Sequence, residues 1–230
     1  MIQKCTKCHI EKIQSKFPKD SRIARGTAAA CIKCKYAANR NRLNKPKYKK
    51  EQKLRIRINY ELCRVLKINA KLNKNCVDCG LKYSYWQLQF DHVRGEKKFT
   101  IGDGCRGGRI KLLEEIQKCD IVCVNCHSGR TMLQFNNSKS PRFNHKVLYV
   151  RNFKIKNNTC VDCKNIFPYF KLQFDHLRDK KFNLSAVATG KFSIKEIEEE
   201  ILKCEIVCGN CHADRTFYRY IDKEAVPLES

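Results

Sequence analysis

The sequence predicts a small α+β protein with two tandem modules of one design, an N-terminal knuckle of four cysteines and basic linker helices. Three observations predict this organisation: blocks of sequence that occur twice, cysteines that come in pairs, and short strand-like segments that alternate with helical ones. A chain of 230 residues is long enough for several such small units.

The duplication is visible in three blocks that return in the same order. CVDC at 76–79 recurs at 160–163, LQFDH at 88–92 recurs at 172–176, and CDIVCVNCH at 119–127 recurs as CEIVCGNCH at 204–212. The spacing between copies is 84 residues for the first two blocks and 85 for the third. Such a fixed period indicates one module, repeated.

Each copy has the same order of predicted elements. The alternating segment 85–90 predicts a strand, segments 112–116 and 194–198 predict helices, and the second cysteine pair opens a short helix. Basic helices are expected at about 47–72 and 143–155, after Pro46 and Pro141. The predicted domains are a knuckle at 1–40, a basic helical arm at 41–75, the first module at 76–136, a linker helix at 137–159, the second module at 160–220 and a tail at 221–230.

The 16 cysteines point to bound metal if the chain stays inside a cell. The sequence has no apolar run of about 20 residues and no secretory signal, so an intracellular, cytoplasmic or nucleoid/nuclear location is expected. In such a reducing compartment, CxxC pairs are more typical of zinc ligation than of disulfides. Six pairs predict three structural Zn²⁺ sites: Cys5, Cys8, Cys31 and Cys34; Cys76, Cys79, Cys123 and Cys126; and Cys160, Cys163, Cys208 and Cys211.

Four cysteines lie outside the CxxC pairs, and covalently bound haem is an alternative to zinc. We expect Cys63, Cys105, Cys119 and Cys204 to be small buried apolar residues. Three CxxCH runs also match the motif for covalent haem attachment. A multihaem carrier, however, leaves the other three CxxC pairs and both Asp-His pairs unexplained.

The positive charge is concentrated in the N-terminal third of the chain. The formal net charge is +25, and residues 1–75 contain 22 Lys and Arg against 4 Asp and Glu. A localised excess of this kind favours a polyanionic partner such as nucleic acid over a merely basic soluble protein. The basic side chains expected to follow phosphates are those of Lys49, Lys50, Lys53, Arg55 and Arg57.

Each module also carries an Asp-His pair and a later histidine. Four of the six histidines in the chain occupy these repeated positions, namely His92, His127, His176 and His212. An Asp carboxylate and a His imidazole can hold one divalent ion with open positions, and a second histidine can take a proton from water. The structural alternative is that each histidine only satisfies a hydrogen bond in the core.

The order CxxC, strand ending in Asp-His, connecting segment and CxxCH resembles the zinc-bearing HNH (ββα-metal) nucleases. The resemblance covers 76–131 and 160–216, and the N-terminal knuckle is similar to one that often precedes such modules. It implies that His92 and His176 are general bases. It also implies a Mg²⁺ or other divalent ion at Asp91 with His127 and at Asp175 with His212, and phosphate contacts from Arg130 and Arg215.

The sequence departs from this family at the middle Asn. Lys118 and Lys203 stand at the expected positions, whereas Asn125 and Asn210 lie two residues before the last histidine of their modules. The residue that orients each general base is therefore not identified by the motif.

The expected function is a metal-dependent DNA endonuclease with two active sites. One chain, acting as a monomeric pseudo-dimer, would place one site on each strand of double-stranded DNA, without a membrane partner. Two alternatives stay open: a zinc-dependent nucleic-acid-binding protein with degenerate nuclease modules, and an RNA-cutting nuclease. Asp91, His127 and their repeats favour an enzyme over a binding protein.

Overall fold

The computed structural model describes residues 1–24, 26–103, 108–136 and 145–224. Cys105, most of the predicted tail and part of the predicted linker lie outside these residues. The chain forms two compact units, Met1–Leu62 and Cys63–Ser230. Within the described ranges, no helix is both long enough and apolar enough to cross a membrane.

The first unit is the cysteine knuckle and most of the basic arm. Strands β1 (Ile2–Lys4) and β2 (Glu11–Ile13) pair in antiparallel fashion, and helix α1 spans Ile32–Asn44. Helix α2 then runs over Pro46–Lys71, so the predicted basic helix is present and continues into the second unit. Its proline occupies the first helical position, where a missing backbone N–H costs nothing.

The second unit contains the duplicated modules. In the first module, β3 (Leu88–His92) is followed by α3 (Gly108–Ile116), β4 (Cys119–Cys123) and α4 (Val124–Asn136). Helix α5 (His145–Lys156) leads into the second module, where β5 (Leu172–His176), α6 (Ile194–Ile201), β6 (Cys204–Cys208) and α7 (Gly209–Glu224) repeat that order. Strands β3 and β5 each pair with the next strand, antiparallel and in equivalent registers.

Strand β3 begins later than the sequence predicts. Residues 84–87 form a turn, in which the backbone N–H of Gln87 donates to the carbonyl of Ser84. Strand β3 therefore begins at Leu88 instead of residue 85. Leu88 and its repeat Leu172 are almost fully buried. Their side chains fix which face of each hairpin packs against the protein interior.

Each core lies between the helices and one face of its hairpin. In the first module Cys63 from α2 packs with Ile101, Leu112 and Cys119. In the second module α5 contributes Val150 to the core formed by Leu184, Val187, Ile197 and Ile201. Apolar burial in each core is small, so cross-links by metal are expected to contribute much of the stability.

The two modules pack against each other through equivalent segments. The backbone N–H of Asn125 donates to Asn210 Oδ1 at 3.2 Å, and that of Asn210 donates to Asn125 Oδ1 at 3.4 Å. Beside this pair, Val124 meets its repeat position, Gly209; a Cβ added to Gly209 would lie 2.5 Å from Val124 Cγ1. Reciprocal contacts between repeat-equivalent residues are those of an approximately twofold interface.

Flanking contacts make this interface asymmetric. The Trp86 ring stacks on Phe217 with centroids 3.6 Å apart, and its indole N–H donates to Asp214 at 2.7 Å. On the other side of the interface the Tyr169 hydroxyl contacts Met132. These residues are the repeat equivalents of Tyr85 and Phe217, whose rings also contact each other with centroids 5.8 Å apart, so this pair of positions is used twice with a different side chain in one of them.

Candidate metal centres and Asp–His sites

Three groups of four cysteines converge, and they are the groups expected from the sequence. In each group the four sulfur atoms all lie within 4.8 Å of one another. Sulfur atoms on a tetrahedral Zn²⁺ with bonds of about 2.3 Å are about 3.8 Å apart. The donor set and its spacing therefore fit three structural zinc sites, which would need little rearrangement on binding.

The first CxxC pair of each group adopts the same turn. The residue after the second cysteine has positive φ: His9 at 57°, Gly80 at 71° and Lys164 at 60°. The backbone N–H of this residue donates to the carbonyl of the first cysteine at 2.9, 2.9 and 3.0 Å. This turn aims both sulfur atoms of a pair to one side, as a shared cation requires.

Backbone donors also surround the thiols. Cys31, Cys123 and Cys208 each donate their backbone N–H to the first sulfur of their own cluster, at 3.2 Å. Such bonds favour the thiolate. The hydrogen bond from Cys31 is the main cause that lowers the pKa of Cys5 to about 5.

The unpaired cysteines behave differently from the clusters. Burial raises the pKa of Cys119 to about 11 and that of Cys204 to about 11. Both begin a strand and line the small cores, so they act as neutral apolar residues, as expected.

Within each Asp-His pair, the two side chains leave the hairpin on opposite faces. We call Asp91, His92 and His127 the first Asp–His site, and we call Asp175, His176 and His212 the second Asp–His site. Adjacent side chains on a strand point in opposite directions. The aspartate of each site thus faces α4 or α7, whereas the adjacent histidine faces α3 or α6. The residues still border one cleft in each module: His92 and His127 line the first, and Asp175, His176 and His212 line the second.

Each aspartate lies beside the later histidine of its module. The distance from Asp91 Oδ1 to His127 Nε2 is 3.6 Å, and that from Asp175 Oδ1 to His212 Nε2 is 3.5 Å. Burial lowers the pKa of His212, although Asp175 opposes the shift. A neutral imidazole beside a carboxylate is a ligand pair that a divalent ion can use.

Each adjacent histidine is bonded to a buried glutamate that the motifs do not contain. His92 Nε2 lies 3.0 Å from Glu115 Oε1, and His176 Nε2 lies 3.0 Å from Glu200 Oε1. Glu115 and Glu200 are at most 1% exposed. The chain thus contains a carboxylate–histidine pair in each module.

Lysines keep these glutamates ionised. Lys118 Nζ donates to Glu115 at 2.8 Å, and this contact is the largest influence lowering the pKa of Glu115 to about 2. Burial opposes ionisation of Glu200, but hydrogen bonds from Lys203 and two backbone N–H groups outweigh it and lower its pKa to about 2. An ionised carboxylate only accepts hydrogen bonds, so Nε2 of each histidine carries the hydrogen.

The arginines expected to contact phosphate are bound to carboxylates. Arg130 Nη1 donates to Asp91 at 2.8 Å, and the same guanidinium contacts Asp78 and Asp120. Arg215 makes the equivalent contact with Asp175 at 2.9 Å. Contact of these residues with phosphate stays a prediction.

The basic residues of α2 that are expected to follow phosphates belong to the first unit. All of them are exposed. They are Lys49, Lys50, Lys53, Arg55 and Arg57.

Two pairs of residues have roles that their sequence context does not reveal. Glu115 and Glu200 lie outside the recognised motifs, although the run Glu-Ile-x-Lys-Cys occurs at both 115–119 and 200–204. Asn125 and Asn210 lie in the interface between the modules, which explains why both copies carry them without a place for them beside the histidines.

No family model, curated protein or solved structure matches this chain.

Proposed function

We propose that the protein is a metal-dependent DNA endonuclease with two HNH-like active sites, which hydrolyses phosphodiester bonds. One observation carries the proposal. In both modules the aspartate lies beside the later histidine, and the histidine that directly follows the aspartate is hydrogen-bonded to a buried, ionised glutamate. Two copies have the same arrangement although the segments between β3 and α3 and between β5 and α6 differ in sequence. A core histidine that only satisfied a hydrogen bond would not need the aspartate and the later histidine beside it.

In this proposal His92 and His176 act as general bases. Because Glu115 and Glu200 accept from Nε2, the lone pair of Nδ1 is available to take a proton from water. The water oxygen then bonds to phosphorus as the bond to the leaving oxygen breaks, and solvent returns a proton to that oxygen. Glu115 and Glu200 are positioning residues that fix the tautomer and stabilise the imidazolium, as carboxylates do in other carboxylate–histidine pairs.

Asp91 with His127, and Asp175 with His212, are the residues that would hold the divalent ion. When bound, this ion would neutralise phosphate charge and stabilise the leaving oxygen. Each pair supplies two ligands and leaves other positions for phosphate and water. The clefts beside both sites are rich in lysine and arginine, which supports an anionic polymer as substrate. The cleft at the first site includes Arg64, Lys67, Lys71 and Lys97, and the cleft at the second site includes Arg151, Lys154, Arg178 and Lys180.

A plasmid assay with zinc-loaded protein in buffer freed of divalent ions tests the proposal. Addition of Mg²⁺ or Mn²⁺ should produce nicked and linear DNA, whereas protein without added ion should produce neither. His92→Ala and His176→Ala should each nick without linearising, and the double variant should be inactive. His145→Ala, an exposed histidine outside the sites, is the matched control.

Different outcomes separate the alternatives. Retardation of the plasmid in a gel without ion-dependent cleavage would support a binding protein with degenerate modules. Cleavage of an RNA duplex but not of DNA would support the ribonuclease. If either single histidine variant linearises DNA at the wild-type rate, the assignment of one strand to each site is wrong.

A further inference from the structure

The two Asp–His sites differ in how their aspartates are held. Asp175 accepts from two arginines: Arg219 Nη1 donates to Oδ1 at 2.8 Å and its Nη2 to Oδ2, while Arg215 donates to Oδ2 at 2.9 Å. Both carboxylate oxygens are thus occupied by guanidinium groups, and the side chain of Asp175 is only 2% exposed.

In the part of the chain that the structure describes, no second arginine contacts the aspartate of the first site. Asp91 Oδ2 accepts from Arg130, and the only polar contact that the described residues make with Oδ1 is His127 at 3.6 Å. The repeat position of Arg219 in the first module is Gln134, which is exposed. The oxygen that faces the later histidine is therefore open in one module and covered in the other.

A divalent ion cannot bind between Asp175 and His212 while Arg219 stays in place. The ion would need Asp175 Oδ1, the oxygen to which Arg219 Nη1 donates. A guanidinium and a divalent cation on one carboxylate oxygen would also repel each other at short range. Binding at the second site therefore requires Arg219 to move, which costs a bidentate, partly buried ion pair.

We propose that Arg219 is a latch that closes the second metal site in the free protein and that a substrate phosphate opens it. This inference rests on the proposed function. The Arg219 side chain is 47% exposed and borders the basic cleft, so it can turn outward without unfolding α7. Phosphate accepts the same two parallel N–H bonds as carboxylate, so a phosphodiester in the cleft offers the guanidinium an equivalent partner.

Two consequences follow from the latch. Without DNA, the first site takes up a divalent ion and the second site binds it at least about 10-fold more weakly, a difference of about 1.4 kcal/mol. With DNA in the cleft, Arg219 contacts phosphate and the second site fills. Metal loading at the second module is thereby coupled to the arrival of a nucleic-acid strand.

Titration with Mn²⁺, followed by the electron paramagnetic resonance signal of the free ion, tests the latch without measuring activity. Zinc-loaded wild-type protein should show one strong and one weak Mn²⁺ site; Asp91→Asn should remove the strong one and Asp175→Asn the weak one. Arg219→Gln copies the first module and should make the two affinities equal. Gln134→Arg is the reciprocal change and should weaken the strong site.

The effect of DNA is measured in the His92→Ala/His176→Ala background with a 12-base-pair duplex present. Mn²⁺ affinity at the Asp175 site should rise about 10-fold, and Arg219→Gln in this background should abolish the rise. Binding to the duplex itself is subtracted with Asp175→Asn.

The possible failures are distinguishable. Equal Mn²⁺ affinities at both sites of the wild type, or no gain from Arg219→Gln, would overturn the latch and leave the nuclease proposal intact. If Asp91→Asn and Asp175→Asn change neither Mn²⁺ binding nor plasmid cleavage, the proposed function fails and the latch fails with it.

Discussion

The side chains of Asn125 and Asn210 each accept a hydrogen bond from the other residue's backbone N–H, across the interface between the modules. Both side chains are buried, so these bonds are formed out of contact with solvent. The pair joins the starts of α4 and α7, where helical N–H groups lack partners within their own helix. Each asparagine therefore serves as a cap for the other module's helix.

Asn125→Ala and Asn210→Ala should each destabilise the second unit. Each change leaves one buried backbone N–H without an acceptor, which costs about 1–3 kcal/mol. Chemical unfolding of the zinc-loaded protein measures the effect. Asn165→Ala, an exposed position, should stay within about 0.5 kcal/mol of wild type. A loss no larger than this control's would mean that the reciprocal pair contributes little.

Gly209→Ala should be destabilising although alanine favours helices. The added Cβ would lie 2.5 Å from Val124 Cγ1, and overpacking of this kind costs about 1–3 kcal/mol. Val124→Ala should restore much of the loss in the double variant. Gly129→Ala is the matched control, because its added Cβ meets neighbours at 3.8 and 4.0 Å. Additive losses in the double variant would argue against the close contact.

Glu115→Gln should reduce cleavage at the first site by about 100-fold, a loss typical of impaired general-base catalysis. The amide is uncharged and can present an N–H to His92, so it no longer fixes the hydrogen on Nε2. Strand-specific nicking in the His176→Ala background measures the rate. The ¹⁵N chemical shifts of the His92 ring report its tautomer. If Glu115 had a purely structural role, the substitution would leave this tautomer unchanged. Glu114→Gln, on the exposed side of α3, is the control.

Lys154→Met should change how stability depends on pH. Burial lowers the pKa of Lys154 from 10.5 to about 8, so above about pH 8 the unfolded chain holds a proton that the folded protein has lost. This difference makes the folded state more stable as pH rises from about 8 to 10.5. The variant should show a smaller gain, because burial also lowers the pKa of Lys71 to about 8 and that residue still contributes, while Lys156→Met should keep the full gain. Unfolding free energies at pH 7, 8, 9 and 10 provide the comparison.

Cys76→Ser should reduce bound zinc from three ions to two, and Cys160→Ser should do the same at the other module. Loss of one thiolate from a four-thiolate site removes much of the metal's binding free energy, which in small domains is also folding free energy. Metal analysis and thermal unfolding follow both effects. Cys119→Ala should keep three ions; if it also loses one, Cys119 has been wrongly assigned to the core.

Residues that need fixed spacing were predictable from sequence, whereas residues defined by tertiary contacts were not. The cysteine clusters follow from CxxC pairs, because only a short turn can place two thiolates on one ion. Glu115 resembles a solvent-exposed residue of a charged helix until α3 packs on the hairpin and buries it. The sequence predicts a strand at Trp86, but this residue lies in a turn, and its stacking partner, Phe217, belongs to the other module.

The valine–glycine contact between the modules depends on the two residues being different. Two copies of the first module would bring valine against valine, and two copies of the second would leave glycine facing glycine across a gap. A pair of identical modules would therefore need compensating changes at this contact, and the two halves of the chain are complementary, not interchangeable.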